Sequence, residues 1–182
     1  FGKTMNAGQT CVAPDYVLVP KDRVEGFVEA YRNAVQSFYP TLADNPDYTA
    51  IINERQQQRL NSYLQDAEGK GATIVPLYPV AQGRRMPYAV LLNVTDDMQV
   101  MQDEIFGPLL PIIPYDKLDD AFSFINERDR PLALYYFGYD KGEQQRVLHE
   151  THSGGVCIND TLLHVAQDDM PFGGVGPSGM GH

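Results

Sequence analysis

Cys11 is the residue in this sequence with the clearest capacity for covalent chemistry. It follows Gly8, Gln9 and Thr10, and a nearby glycine lets backbone amides approach a reacting atom without a Cβ in the way. A thiolate is the nucleophilic form of cysteine, and it is favoured by nearby positive charge, a helix N-terminus or a base. The pattern makes Cys11 a candidate nucleophile, while a purely structural cysteine remains the alternative.

The second cysteine, Cys157, lies between Val156 and Ile158 in an apolar run that is typical of a strand. We expect a thiol in such a run to be buried and inert. The two cysteines are far apart and neither belongs to a Cys-x-x-Cys pair, so we predict no metal site. Two cysteines in a chain of 182 residues also favour a reducing compartment, which predicts a cytoplasmic protein.

Glu104 and Phe106 place a carboxylate and an aromatic ring two residues apart, just before a Gly-Pro break. Residues at that spacing share one side of an extended chain. Glu104 could then accept hydrogen bonds from sugar hydroxyls while Phe106 lies against a flat ring, which is a combination suited to a nucleoside. The alternative is a solvated glutamate and a core phenylalanine at a turn.

His149, His152, His164 and Asn159 are candidate partners for Cys11. Cysteine, histidine and asparagine form a known hydrolytic arrangement, so a thiol hydrolase is one alternative function. Asn159 ends the last strand-like run, where it can either fix a loop or contact substrate. His149 and His152 lie on or just after a polar helix, and we expect both at the surface. A non-catalytic assembly domain is the second alternative.

Helical and strand-like segments alternate along the chain and must position these residues. Apolar residues at helical spacing and their capping residues predict helices over about 23–38, from Asn53 to Gly69 or Gly71, over about 118–125, and after Asp140. Strands are predicted at 16–19, 73–75, 89–92, 109–113, 132–137 and 156–158. Because several strands are apolar on both faces, we predict one α/β domain over residues 1–182, with a largely parallel sheet and flanking helices.

The charge and hydropathy of the chain argue against two classes of partner. Fourteen Lys and Arg residues against 24 Asp and Glu give a formal charge of −10, so the average surface repels nucleic acid. No apolar run approaches the roughly 18–20 residues that span a bilayer, and the polar start is not a signal peptide. We therefore expect neither a nucleic-acid partner nor a membrane role.

Three segments together resemble the catalytic-domain signatures of aldehyde dehydrogenases in their order and spacing. They are residues 6–15, NAGQTCVAPD; residues 104–108, EIFGP; and residues 171–181, PFGGVGPSGMG. The match covers nearly the whole chain. The APD at 13–15 and the NDTLLH at 159–164 are most similar to the class 3 branch, which includes fatty and coniferyl aldehyde dehydrogenases.

The resemblance implies a role for each matching residue. Cys11 matches the nucleophile that forms a thiohemiacetal and then a thioester, and its own backbone amide would help to hold the oxyanion. Glu104 matches the carboxylate that holds the nicotinamide-ribose hydroxyls of NAD or NADP, and Phe106 matches the aromatic residue beside it. Asn159 and Phe172 match the wall of the substrate entrance. The implied reaction oxidises an aldehyde, for example an aromatic one such as coniferaldehyde, to the carboxylic acid.

Several parts of the family pattern would lie outside residues 1–182. The dinucleotide-binding domain, the general-base glutamate and the oxyanion asparagine would precede Phe1, and a C-terminal segment that helps to build a dimer would follow His182. We therefore expect an excised catalytic domain whose partner is the dinucleotide-binding domain of the same parent chain. We expect the parent to be a homodimer and the isolated 182 residues to be inactive, because positioning and base catalysis would both be lost.

Overall fold

The computed structural model describes residues 1–79 and 82–181. Contacts between residues divide the chain into two compact units, Phe1–Tyr115 and Asp116–His182. The elements of each unit are given separately below. The assignment of all 182 residues to one catalytic domain stays a prediction.

A four-stranded sheet forms the centre of the first unit. Its strands are β1 (Val17–Pro20), β2 (Thr73–Pro76), β3 (Ala89–Leu92) and β4 (Leu109–Tyr115). They lie in the order β1-β4-β3-β2. Strand β4 runs parallel to β1 and to β3, while β2 is antiparallel to β3. The prediction of an α/β fold with a largely parallel sheet is confirmed.

Helices cover both faces of this sheet, as the doubly apolar strands require. They are α1 (Val24–Phe38), α2 (Glu54–Gly69) and the short α3 (Gln99–Gln102). Successive residues of β3 point to opposite faces: Leu91 packs with Leu60 of α2, and Val90 packs with Val35 of α1. The sheet and α2 thus form a fixed base for the loops at the strand ends.

The second unit contains a parallel strand pair and two longer helices. Its elements are α4 (Leu118–Asn126), β5 (Ala133–Tyr136), α5 (Lys141–Glu150) and β6 (Gly155–Ile158). Strands β5 and β6 pair in parallel with α5 between them in the chain, which is a βαβ connection. Phe122, Leu134 and Val147 form its core.

The predicted elements are all present, with shifts of one or two residues at their ends. Asn53 caps α2 by accepting a hydrogen bond from the Gln56 backbone N–H at 2.9 Å. Asp140 caps α5 in the same way through the Glu143 N–H, also at 2.9 Å. These two side chains satisfy amide donors that the first helical turn leaves free, so the helices begin where the sequence indicates.

Residues 1–79 and 82–181 lack both membrane-spanning helices and clusters of metal ligands. In those ranges no helix combines the length and the apolar character that a membrane crossing needs. The same ranges contain no group of three or more His, Cys, Asp or Glu side chains arranged to hold a metal ion.

Candidate active site

Cys11 is exposed on a loop whose backbone has an uncommon conformation. Asn6, Ala7 and Gly8 lie in succession in the left-handed region, with φ of 52°, 54° and 72°. A turn then follows, in which the Ala13 N–H donates to the Thr10 carbonyl at 3.1 Å. The glycine that the sequence places before Cys11 therefore serves the loop conformation directly, since left-handed backbone favours glycine.

Gln9 fixes the cysteine loop to the segment before α2. Its side-chain Nε2 donates to the Ala50 carbonyl at 3.2 Å, and its Oε1 accepts from the Ile52 N–H at 2.9 Å. Asn6 Nδ2 donates to the Gln9 carbonyl at 3.0 Å. No local sequence signal indicates this role of Gln9, because residues 50–52 are too distant in the sequence for spacing to predict the contact.

The second predicted site segment, residues 103–108, is a loop between α3 and β4. Glu104 is exposed and the Phe106 side chain is 40% exposed, whereas Ile105 between them is only 1% exposed. Both predicted side chains are thus accessible. The reasoning that placed them on one side of an extended chain was wrong, because Phe106 has a φ of 47°, which is left-handed rather than extended.

Arg59 of α2 holds the backbone of this loop from one side. Its guanidinium donates to the carbonyls of Glu104 and Ile105 at 3.1 Å and 2.6 Å. It also donates to the Tyr63 hydroxyl at 2.9 Å, and that hydroxyl donates to an Asp103 carboxylate oxygen at 2.9 Å. A guanidinium has five N–H donors in a fixed plane, so one side chain can fix two adjacent carbonyls. Sequence reasoning missed Arg59 entirely.

The cysteine loop and the Glu104 loop meet at two glycines. A Cβ built on Gly8 would lie 2.3 Å from the Gly107 carbonyl oxygen. A Cβ built on Gly107 would in turn lie 2.5 Å from the Leu60 Cδ2 atom. These separations are far below a normal contact of about 3.5 Å. The two backbones therefore touch directly, and this brings the segments carrying Cys11 and Glu104 together.

A buried lysine and two carboxyl groups interact beside these loops. Lys3 is only 3% exposed, and desolvation lowers its pKa to about 8 although Asp15 and Glu104 oppose that shift. Desolvation raises the pKa of Asp15, while Lys3 and a hydrogen bond from the Ile105 N–H lower it. That hydrogen bond is 3.2 Å long. Asp15 thus holds the Glu104 loop from the side of the cysteine segment.

The Glu104 carboxylate itself is available to a ligand. Within the described part of the chain, no side chain or backbone group donates a hydrogen bond to it. Its pKa is raised by desolvation and by the Asp15 carboxylate, and is lowered by Arg59 and Lys3. The exposed Glu104 carboxylate can accept hydrogen bonds from ribose hydroxyls, and the exposed Phe106 ring, two residues on, can contact a planar ring. The residues present therefore fit a nicotinamide nucleotide.

The other two predicted site residues lie in the second unit. Asn159 has a φ of 59° and bonds the backbone of Gly138 twice: its Oδ1 accepts from the N–H at 2.8 Å and its Nδ2 donates to the carbonyl at 3.1 Å. Its side chain therefore fixes a turn. Phe172 is 45% exposed, and its ring centroid is 5.9 Å from that of His164. Their assignment to the substrate entrance stays a prediction.

Cys157 differs from the prediction, since it is partly exposed rather than buried. Its Sγ lies 3.2 Å from the Nδ1 atom of His164. The pattern missed this because strand periodicity describes two faces of a sheet and not what a later turn places over one of them. His149 and His152 are exposed, as predicted. Of the three histidines considered for a hydrolase, His164 contacts the other cysteine.

Known proteins are similar to this chain along its whole length. Residues 1–182 match the model of the aldehyde dehydrogenase family. A protein of Pseudomonas aeruginosa named as a probable coniferyl aldehyde dehydrogenase is 74% identical over 182 residues, which are 100% of this chain and 38% of that protein. The chain thus spans about two-fifths of the length of this relative.

Two solved structures have the same fold. The substrate-bound state of Staphylococcus aureus AldH superposes with a TM-score of 0.91 at 43% sequence identity, covering 99% of this chain and 39% of that one. An NADP-dependent glyceraldehyde-3-phosphate dehydrogenase from Bacillus halodurans, complexed with NADP, gives a TM-score of 0.86 at 29% identity, covering 98% and 37%. The family match over every residue, together with these relatives, shows that the chain belongs to the aldehyde dehydrogenase family.

Proposed function

We propose that this chain is the catalytic part of an NAD(P)-dependent aldehyde dehydrogenase in which Cys11 is the nucleophile. One observation carries the proposal: the loop of the exposed Cys11 touches the loop of the exposed Glu104 carboxylate through the backbones of Gly8 and Gly107. A covalent site and a nucleotide-binding carboxylate thereby share one rigid support. Membership of the aldehyde dehydrogenase family supports the same assignment.

Cys11 carries the covalent steps of the proposed reaction. Its thiol gives its proton to water, and the thiolate Sγ bonds to the aldehyde carbonyl carbon. The carbonyl π electrons move to oxygen, where the Cys11 backbone N–H can donate a hydrogen bond. The bound nucleotide supplies the acceptor for the hydride that leaves this carbon. Cys11 then holds the acyl group as a thioester, and water releases the carboxylic acid and returns the thiol.

Glu104 and Phe106 position the nucleotide in this proposal. The Glu104 carboxylate would accept hydrogen bonds from the ribose hydroxyls of the nucleotide, and the Phe106 ring would contact the nicotinamide. Arg59 and Asp15 hold the backbone of this loop in place, so less backbone entropy is lost when the nucleotide binds. The NADP complex of a structural relative supports a nicotinamide nucleotide, and the choice between NAD and NADP is left to the assay below.

The proposed substrate is an aromatic aldehyde such as coniferaldehyde. The name of the 74% identical Pseudomonas aeruginosa protein supports this choice. We propose Asn159 and Phe172 as part of the substrate entrance, with Asn159 acting through the turn at Gly138 that it fixes. We further propose that the parent protein supplies the dinucleotide-binding domain, forms a homodimer and is cytoplasmic. The two free thiols suit a reducing compartment.

The test is steady-state kinetics of the full-length protein with NAD and NADP. Coniferaldehyde, benzaldehyde and a long-chain aliphatic aldehyde are compared as substrates. We expect Cys11→Ser to abolish nucleotide reduction. We expect Glu104→Gln to lower kcat/KM for the nucleotide by about 10- to 100-fold, since it weakens hydrogen bonds to a charged group.

Glu25→Gln, on the exposed face of α1, is the matched control and should leave both parameters unchanged. Product formation without any nucleotide would instead indicate a thiol hydrolase. Full activity of Cys11→Ser would contradict the proposal and favour an assembly role.

A further inference from the structure

The second unit contains a thiol–imidazole pair that the proposed reaction does not use. Cys157 lies on β6, and His164 lies on a 3-10 turn, Leu163–Ala166, that packs against this strand. The Sγ···Nδ1 separation of 3.2 Å is within hydrogen-bonding distance. Cys157 is partly exposed, so the residue is not sealed in the core of this unit.

The imidazole is held against the strand by its surroundings. Its ring packs edge-on against Tyr135, with centroids 5.9 Å apart, and lies at the same distance from the Phe172 ring. A Cβ on Gly155 would lie 2.9 Å from the His164 Cδ2 atom, so the glycine leaves just enough room for the ring. The ring therefore cannot turn away from Cys157 without losing contacts on three sides.

The surroundings of His164 favour the neutral ring, whose Nδ1 atom can accept a hydrogen bond from the thiol. Its Nε2 atom is buried and has no hydrogen-bond partner among the residues that the structure describes. Desolvation lowers the pKa of His164, which keeps the ring neutral near pH 7. When the thiol donates its hydrogen to Nδ1, the ring proton resides on Nε2, so Nδ1 is the acceptor that faces sulfur.

We propose that Cys157 and His164 form a second nucleophilic site that captures α,β-unsaturated aldehydes by conjugate addition. His164 Nδ1 takes the thiol proton, Sγ bonds to the β-carbon, and the carbon–carbon π bond breaks. The proton held on the imidazole is then transferred to the α-carbon, which leaves a saturated thioether aldehyde and a neutral ring. This addition requires neither an oxidant nor a nucleotide. The class of aldehyde rests on the proposed function, whereas the reactivity of the thiol does not.

The surface near the pair suits an aromatic aldehyde of this class. The exposed Phe172 ring lies 5.9 Å from the His164 ring, measured between centroids, and Leu163 and Val165 beside His164 in the sequence are also exposed. An arylpropenal can bury its ring against such side chains while its β-carbon approaches the sulfur. Cys11 attacks the carbonyl carbon of an aldehyde in the proposed reaction, whereas Cys157 would attack the β-carbon.

The experiment uses the full-length protein without nucleotide and cinnamaldehyde as the probe. Adducts are reduced with borohydride and located by peptide mass spectrometry over time. We expect one cinnamaldehyde adduct at Cys157, and none there with 3-phenylpropanal, which lacks the conjugated double bond. His164→Gln should slow the addition at Cys157 by about tenfold or more, because it removes the base. His149→Gln, an exposed histidine of the same unit, should react as the wild type does.

The rate of the reaction at Cys157 can also be compared between the folded and the unfolded wild-type protein, which tests the proposal even if His164→Gln misfolds. Cys157 should react with cinnamaldehyde faster in the folded protein than in urea, because unfolding separates the thiol from the imidazole. If the contact between Cys157 and His164 were only structural, it would protect the sulfur, and Cys157 would react more slowly in the folded protein than in urea. Slower reaction in the folded state, an unmodified Cys157, or equal rates in a folded His164→Gln would each overturn the proposal. Since no nucleotide is present, these results are independent of whether Cys11 oxidises aldehydes.

Discussion

Replacing Gly8 with alanine should separate the two loops that carry Cys11 and Glu104. The added Cβ would lie 2.3 Å from the Gly107 carbonyl oxygen and 3.3 Å from that of Lys3. The Gly107 backbone would have to retreat by about 1 Å to restore a normal contact. The φ of +72° adds about 1–2 kcal/mol of conformational cost for alanine, and the overpacking adds about 1–3 kcal/mol.

A displacement of that size should reduce the efficiency with which the enzyme uses the nucleotide. Misplacement of reacting groups by 1 Å can cost about 100-fold in rate, so we expect a loss of that order in kcat/KM for the nucleotide. The assay is steady-state kinetics of the full-length protein at varied nucleotide concentration, combined with the midpoint of thermal inactivation. Both quantities should fall in Gly8→Ala.

Gly26→Ala provides the matched control for this prediction. Gly26 lies in α1, and a Cβ there meets no atom within 4 Å. Alanine should leave the kinetics unchanged and stabilise the exposed helix by up to about 1 kcal/mol. If Gly8→Ala kept kcat/KM within about twofold of the wild type, the close approach of the two loops would not govern nucleotide positioning.

Two further substitutions test the residues that support the Glu104 loop. Arg59→Met removes charged hydrogen bonds to two carbonyls, each worth about 1.5–3 kcal/mol, so it should raise the nucleotide KM and lower the thermal midpoint. Arg55 is exposed on the same helix, so Arg55→Met should change neither quantity. Equal effects of the two substitutions would contradict this role of Arg59. The pKa of Lys3 is about 8 in the folded protein, below its ordinary value of 10.5. Between these two pH values the unfolded chain binds more protons than the folded protein. The free energy of unfolding should therefore rise with pH across that window, by up to about 3 kcal/mol. The pH dependence of the thermal midpoint checks this: wild type should gain relative to Lys3→Met from about pH 8 to about pH 10, and parallel curves would refute the desolvation of Lys3.

Local signals in the sequence were sufficient for the helices and strands. The caps at Asn53 and Asp140 and the apolar spacing of α2 act within one or two helical turns, where neighbours in the sequence are neighbours in space. The two-sided burial of β3 followed from its unbroken apolar run for the same reason. These features depend on no distant contact, so the pattern was enough.

The details of the site depend instead on contacts between distant segments. The left-handed Phe106 is held in a loop whose backbone is bonded by Asp15 and Arg59, which lie far away in the sequence. The pairing of Cys157 with His164 depends on a buried Leu162 with a φ of 65°, which no periodicity indicates. Residue type could identify Cys11 and Glu104 as candidates. Only tertiary structure could identify the side chains that orient their loops.

The run of left-handed residues before Cys11 has a consequence for how the protein would lose activity. Asn tolerates this conformation, but a left-handed Ala7 costs about 1–2 kcal/mol, and the cost is offset by its nearly complete burial and by the bonds of Gln9. Once mild heat or denaturant releases those contacts, the segment gains free energy by relaxing, while the sheet stays intact. Hydrogen exchange at residues 6–13 should therefore report a local opening well below global unfolding, and inactivation should precede the loss of helical signal.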